Sequence, residues 1–211
     1  MTDKKQLVWV PLFWGSLWGL AEATVGNLLH WTLIPGIAGF MMFPIGLVFM
    51  VKAFNHSGKL STIFLTALVA ANIKMVDLFF PAHNLFAVIN PAIAILCESV
   101  AVMLAFSMKG FKQTLSRFGF IWSMAFVWRL VYGIGTLSLG FIFPAHSFFQ
   151  QANVHIVRFF LIDSFANAIL IYVFYHAMRL PVSGLSQHTR RHSAIYTIGV
   201  LITAVVVELL V

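Results

Sequence analysis

The feature that most constrains this chain is a series of seven long apolar segments, each of about 17 to 25 residues, the length that a helix needs to cross a bilayer. Of the 211 residues, 61% are hydrophobic and only 9% are charged, which excludes a water-soluble globular domain of this size. The sequence therefore predicts an all-α integral membrane protein, a polytopic helix bundle with about seven transmembrane helices in a single membrane domain over 1–211. The segments are 8–31, 38–54, 60–80, 88–107, 118–141, 153–177 and 193–211, and the second, being short, is predicted to be tilted or partly re-entrant.

Positive charge alternates between the connections that join these segments. The connections near 32–37, 81–87 and 142–152 contain no Lys or Arg. Because cytoplasmic loops carry the excess of basic residues, the pattern predicts a multi-pass protein of the cell membrane with a cytoplasmic N-terminus. Topology also explains the formal charge of +7, so no nucleic-acid partner is predicted. The other connections and the N-terminus carry Lys4, Lys5, Lys52, Lys59, Lys109, Lys112, Arg117, Arg179, Arg190 and Arg191.

The first apolar segment carries a carboxylate at its middle, Glu22. At helical spacing it shares a stripe with small residues, which let a second helix approach closely in lipid. A carboxylate at membrane depth is costly, so by default it marks a functional site. The alternative is a buried glutamic acid that only fixes helix packing. No small-residue cleavage site follows, and the helix is expected to be retained. The stripe consists of Gly15, Gly19, Glu22, Gly26 and His30.

Ionisable residues recur in the later segments, which contain four of the remaining five acids. Lys74 and Asp77 are three residues apart and are expected to pair across a helical turn. Arg158 is expected to point away from Asp163, and Glu208 to be solvated at the outer end of the last helix. A polar pocket between helices explains so many charges better than structural pairing alone. The candidate ligand-binding residues are Glu22, Asn27, His30, Lys74, Asp77, His83, Asn90, Glu98, Arg129, His146, His155, Arg158, Asp163 and Asn167.

Histidines cluster in the connections predicted to lie outside. The tetrapeptide Phe-Pro-Ala-His occurs at 80–83 and at 143–146, and an Asn follows each His after seven residues. This repetition in two equivalent loops indicates a structural repeat of helix pairs. The alternative is that these histidines are ordinary interfacial residues. A metal ion or a haem is the cofactor considered for this outer mouth, at His30, His83 and His146.

Signatures of catalysis are absent from the sequence. It contains no Walker A loop, Rossmann glycine pattern, GxSxG elbow or HExxH pair. The single Cys97 excludes an internal disulfide. An enzymatic function therefore has little support, and no catalytic residue is predicted.

In architecture the chain resembles the substrate-binding S component of energy-coupling factor transporters for vitamins or metals. Gly15, Gly19 and Ala23 match the small-residue motif of that family, and the segment 31–44, with its glycines and Pro44, resembles the loop that closes over ligand. The resemblance implies a six-helix core over 8–178 with 193–211 as an extra helix. It also implies a small ligand taken up from the outer face, and partner subunits comprising a coupling permease, which contacts the small-residue motif, and ATPases.

A different class of protein fits the same pattern. Facing histidines on two helices can ligate a haem, so the chain is alternatively a membrane anchor or a cofactor-holding subunit of a larger redox complex. A third reading is a membrane enzyme that uses Glu22 or histidines as acid and base.

Overall fold

A computed structural model of the chain describes residues 3–32, 37–79, 85–108, 118–142, 156–178 and 193–210. The described residues form seven helices, which confirms the all-α prediction. Four helical spans are long and apolar enough to cross a membrane, at Ile37–Ser57, Ser61–Phe79, Val88–Ser107 and Phe118–Thr136. The helices are α1 (Asp3–Ala21), α2 (Ile37–Ser57), α3 (Ser61–Lys74), α4 (Leu85–Ser107), α5 (Phe118–Ile142), α6 (Asp163–Met178) and α7 (Ser193–Leu210).

Three of these helices have extensions of different geometry. A π-helical turn at Glu22–Gly26 and a last α-helical turn at Asn27–His30 continue α1. A 3-10 turn at Met75–Phe79 follows α3, and a π-helical turn at Arg158–Ile162 precedes α6. The π-helical turns matter for the candidate site, because they rotate the side chains that follow them away from the regular α-helical register.

The second helix corrects the prediction of a short or re-entrant segment. Its 21 residues continue through Pro44, and a proline inside a membrane helix is tolerated when neighbouring groups satisfy the freed backbone. Gly39 and Pro44 therefore lie in a helix, so the expected ligand-covering loop over 31–44 is wrong from Ile37 onward. Residues 33–36 lie outside the described ranges. Gly58 then ends α2 with a φ of 68°, a left-handed conformation typical of helix C-termini, and its N–H donates to Phe54 O.

The second helix lies at the centre of the bundle. It contacts α1, α3, α4 and α6, while α3, α4, α5 and α6 pack against one another in chain order. On one side of α2 the fully buried Trp18 lies directly over Gly46, where no side chain would fit. On another side the Trp128 ring packs against Phe43, with 5.5 Å between ring centroids. The last helix, α7, packs on α1 and beside the end of α3, outside this arrangement.

The small residues of α1 face α3 of the same chain. A Cβ atom at Gly15 would lie 2.6 Å from the carbonyl oxygen of Thr66, and one at Gly19 would lie 2.6 Å from Ile73 Cδ1. The two backbones are therefore in close contact and run in the same direction. Ala23 is fully buried as well. A partner-subunit interface at Gly15, Gly19 and Ala23 would require α3 to be displaced, so the stripe is better explained as an internal packing face.

We expect Gly15→Ala to destabilise the bundle, because the new methyl group meets a backbone oxygen that cannot move independently of α3. Overpacking of this kind costs about 1–3 kcal/mol. Gly199→Ala on α7 is the matched control, since a Cβ atom there meets nothing within 4 Å. The measurement is thermal unfolding of both purified variants in detergent. Equal melting of Gly15→Ala and Gly199→Ala would contradict the close α1–α3 contact.

Candidate functional site

The carboxyl group of Glu22 lies inside the bundle at the start of the π-helical turn. Trp18 Nε1 donates a hydrogen bond of 3.1 Å to Glu22 Oε1. The other oxygen, Oε2, lies over Gly26, where an added Cβ atom would come within 2.9 Å of it. Gly26 therefore leaves the room that the carboxyl group occupies. Turns of this π-helical type often occur at functional sites in helices.

Lys74 joins three helices through one buried ammonium group. Its Nζ donates to Asp77 Oδ2 at 2.8 Å, to Glu208 Oε1 at 2.7 Å and to Asn27 Oδ1 at 3.2 Å. The predicted pair of Lys74 with Asp77 is thus confirmed. An ammonium group has three N–H donors, so these three bonds use all of them. We call Asn27, Lys74, Asp77 and Glu208 the lysine cluster.

Glu208 corrects the prediction of a solvated residue. It is only 2% exposed, because α7 packs on α1 and brings its last turns beside the end of α3. Glu208 is therefore a member of the site that the candidate residues predicted from the sequence did not include. The only sign in the sequence that Glu208 is buried was the surplus of intramembrane acids over bases. This surplus does not show that Lys74 is the partner of Glu208.

Arg129 is the centre of a second polar group, on α5. Its guanidinium donates to Ser164 Oγ at 3.4 Å and to the Ala125 carbonyl at 3.2 Å, and it also bonds Asn167 Oδ1. The amide of Asn167 in turn donates to the carbonyl of Phe40 on α2. This network links α5, α6 and α2. Ser164 was missed by the sequence analysis, since a serine in an apolar helix is unremarkable.

Aromatic rings cover the Arg129 guanidinium, which is 1% exposed. Its carbon Cζ lies 4.5 Å from the ring centre of Trp128 and 5.4 Å from that of Phe159. Cations over aromatic faces gain electrostatic stabilisation when desolvated. The hydrogen bonds and the rings together help a charged group to remain inside the bundle.

Another buried acid, Glu98, lies on α4. Its carboxyl is 2% exposed and interacts electrostatically with both Glu22 and Arg129. Among the described residues, its Oε2 atom has no hydrogen-bond partner, and Arg129 Nε has none either. Buried polar atoms without partners are costly and rare. Buried atoms without a partner among the described residues thus include an acceptor on α4, Glu98 Oε2, and two donors on α5, Arg129 Nε and Trp128 Nε1.

Arg158 and Asp163 form an ion pair that the sequence analysis did not expect. Arg158 Nε lies 3.6 Å from Asp163 Oδ1. The prediction that they point apart is wrong because residues 158–162 form a π-helical turn, in which residues i and i+5 are bonded neighbours. The side chains are 45% and 17% exposed, so the pair contributes little stability. Asp163 also interacts electrostatically with Arg129.

The histidine mouth falls outside the part of the chain that the structure describes. His83, His146 and His155 are not among the described residues, and for His30 only the backbone is described. Within the described ranges no group of three His, Cys, Asp or Glu side chains is arranged to hold a metal ion. The metal or haem at His30, His83 and His146 therefore stays a prediction. Asn90 lies on α4 two turns before Glu98.

Comparison with known proteins identifies no family for this chain. No family model matches it, and neither a characterised protein nor a solved structure is significantly similar to it.

Proposed function

We propose that this protein is a membrane transport subunit that binds a small polar ligand inside its helix bundle. One observation carries the proposal: Glu98 Oε2 and Arg129 Nε are buried atoms of two interacting groups, and neither has a hydrogen-bond partner among the described residues. A scaffold that had only to remain folded would be more stable with apolar side chains at these positions. A ligand with one donor and one acceptor would satisfy both atoms.

The neighbouring polar groups support a site built around this centre. The carboxyl group of Glu22 accepts a hydrogen bond from Trp18. The lysine cluster bonds α3 to α7 through Lys74 and Glu208. Glu22, Glu98 and Arg129 are the proposed ligand contacts, and Asn167 and Ser164 orient Arg129. Intramembrane ionisable residues that face the interior of a bundle are typical of substrate and ion pathways.

Orientation and partners follow from the sequence. The loops without Lys or Arg are placed outside the cell membrane by the positive-inside rule, so the ligand enters from the outer face. The resemblance to S components supplies the proposed partners, a coupling permease and ATPase subunits. Because the small stripe of α1 faces α3, their docking surface would have to be sought elsewhere on the bundle.

The test is ligand binding by the purified chain. Small molecules that copurify are released, identified by mass spectrometry and added back in a thermal-shift assay with wild type and Glu98→Gln. We expect at least one polar compound to raise the melting temperature of wild type and to lose at least tenfold in affinity for Glu98→Gln. Asn72→Ala is the matched control, because the exposed Asn72 on α3 bonds only its own helix backbone among the described contacts.

Two results would contradict the proposal. A bound compound that stabilises Glu98→Gln as well as wild type would place the ligand elsewhere. A Soret absorbance band in the purified protein would favour the alternative, a haem-holding subunit of a redox complex.

A further inference from the structure

Among the buried residues that the structure describes, carboxylates outnumber cations. Two cations, Lys74 and Arg129, face four carboxylates, so the buried acids are in excess by two. Lys74 has all three donors engaged in the lysine cluster, and Arg158 pairs with Asp163 at the bundle surface. The four buried carboxylates are those of Glu22, Asp77, Glu98 and Glu208.

Among the hydrogen bonds of the described residues, Lys74 bonds Asp77 and Glu208, and neither buried cation bonds the other two acids, Glu22 and Glu98. Glu22 Oε1 receives only the indole N–H of Trp18 among the hydrogen bonds of the described residues, and Glu98 Oε2 receives none. Both side chains are buried, and their charges interact with each other. Two carboxylates repel strongly when they are close together in surroundings of low dielectric constant. Arg129 supplies one positive charge nearby, which balances one of them and not both.

We propose that Glu22 and Glu98 form a proton-binding site, in which the pair holds one dissociable proton and carries one negative charge. On release, the carboxyl O–H bond breaks, the proton passes to water and the electron pair stays on the oxygen. Among the described residues, Glu98 Oε2 and Arg129 Nε have no hydrogen-bond partner, and the proton is exchanged beside these two atoms. The assignment of this proton as the coupling ion of transport rests on the proposed function, whereas the existence of the site does not.

Several titratable or charged groups surround the pair and set its environment. Glu22 faces Lys74 from α3 and, across the lysine cluster, the α7 acid. Glu98 faces Arg129 from α5 and lies beside Cys97 of its own helix. The remaining groups on neighbouring elements are Asp77 in the 3-10 turn after α3, Tyr132 on α5, Asp163 on α6, Glu208 on α7, and Lys52 and His56 towards the far end of α2.

Infrared spectroscopy of the full chain, reconstituted in bilayers without any ligand, tests this site. A protonated carboxyl has a C=O stretching band that shifts in D₂O, and we expect wild type to show one that disappears as pH rises. The double variant Glu22→Gln, Glu98→Gln should lack this band. Asp163→Asn should retain it, because Asp163 is paired with Arg158 and lies outside the pair.

A second variant keeps both carboxyl groups and so avoids the risk that the double variant does not fold. Trp18→Phe removes the indole donor to Glu22 and should shift the frequency or the pH midpoint of the band. Trp122→Phe, at an exposed position on α5, should change neither. An unshifted band in Trp18→Phe would exclude Glu22 from the site.

Three other results would overturn the proposal: no such band in wild type, its persistence in the folded double variant, or its loss on adding sodium at constant pH. The last result would identify a sodium site in place of a proton site. Because no ligand is used, a normal band together with failed ligand binding would refute the proposed function and leave the proton site standing.

Discussion

Replacing Lys74 by Met is expected to lower the free energy of unfolding by about 3–5 kcal/mol, since it leaves buried carboxylates without their cation. Lys74 is the only residue that bonds α1, α3 and α7 at once among the described hydrogen bonds. Without it, Asp77 and Glu208 would repel each other inside the bundle. The loss should appear as lower abundance of folded protein and a lower melting temperature.

The matched control for this prediction is Lys52→Met, on α2, where the side chain is half-buried near the helix end. That change should cost far less. The double variant Lys74→Met, Glu208→Gln should recover part of the loss, because one of the two uncompensated charges is then absent. If Lys52→Met and Lys74→Met melt alike, the lysine cluster does not stabilise the bundle.

Apolar segment length was sufficient to predict seven helices, four of which are long and apolar enough to cross a membrane. Predicting the direction of side chains from a uniform period of 3.6 residues per turn was less successful. It failed at 158–162, where a π-helical turn brings Arg158 and Asp163 together. Nothing in the residues Arg-Phe-Phe-Leu-Ile marks such a turn.

The sequence also did not reveal which charged residues on different helices pair with each other. The cost of an intramembrane charge is local and could be inferred for Glu22, Lys74 and Arg129. The pairing of Lys74 with Glu208 spans 134 positions and depends on α7 packing against α1. The glycine stripe posed the same problem, since spacing predicts close contact with a helix and does not say whether that helix belongs to the same chain.

Replacing Arg129 by Gln is the second change with a large expected effect. It removes the cation that interacts with the Glu22–Glu98 pair, and the remaining negative charge is then buried without compensation, at a cost of about 3–5 kcal/mol. Glu98→Gln alone should cost little, because the amide has the shape of the carboxyl and carries no charge. Even Arg129→Lys should be destabilising, since lysine lacks the planar donor geometry that bonds Ser164 and Asn167.

The double variant Arg129→Gln, Glu98→Gln completes a double-mutant cycle with wild type and the two single variants. We expect it to unfold less readily than Arg129→Gln alone, since deleting the second charge removes the penalty left by deleting the first. The cost of Arg129→Gln should also shrink as pH falls, because the acid pair can then bind a second proton and lose its remaining charge. Unfolding of all four proteins in detergent at two pH values measures both effects. A double variant whose loss equals the sum of the single losses, at both pH values, would show that Arg129 does not balance this pair.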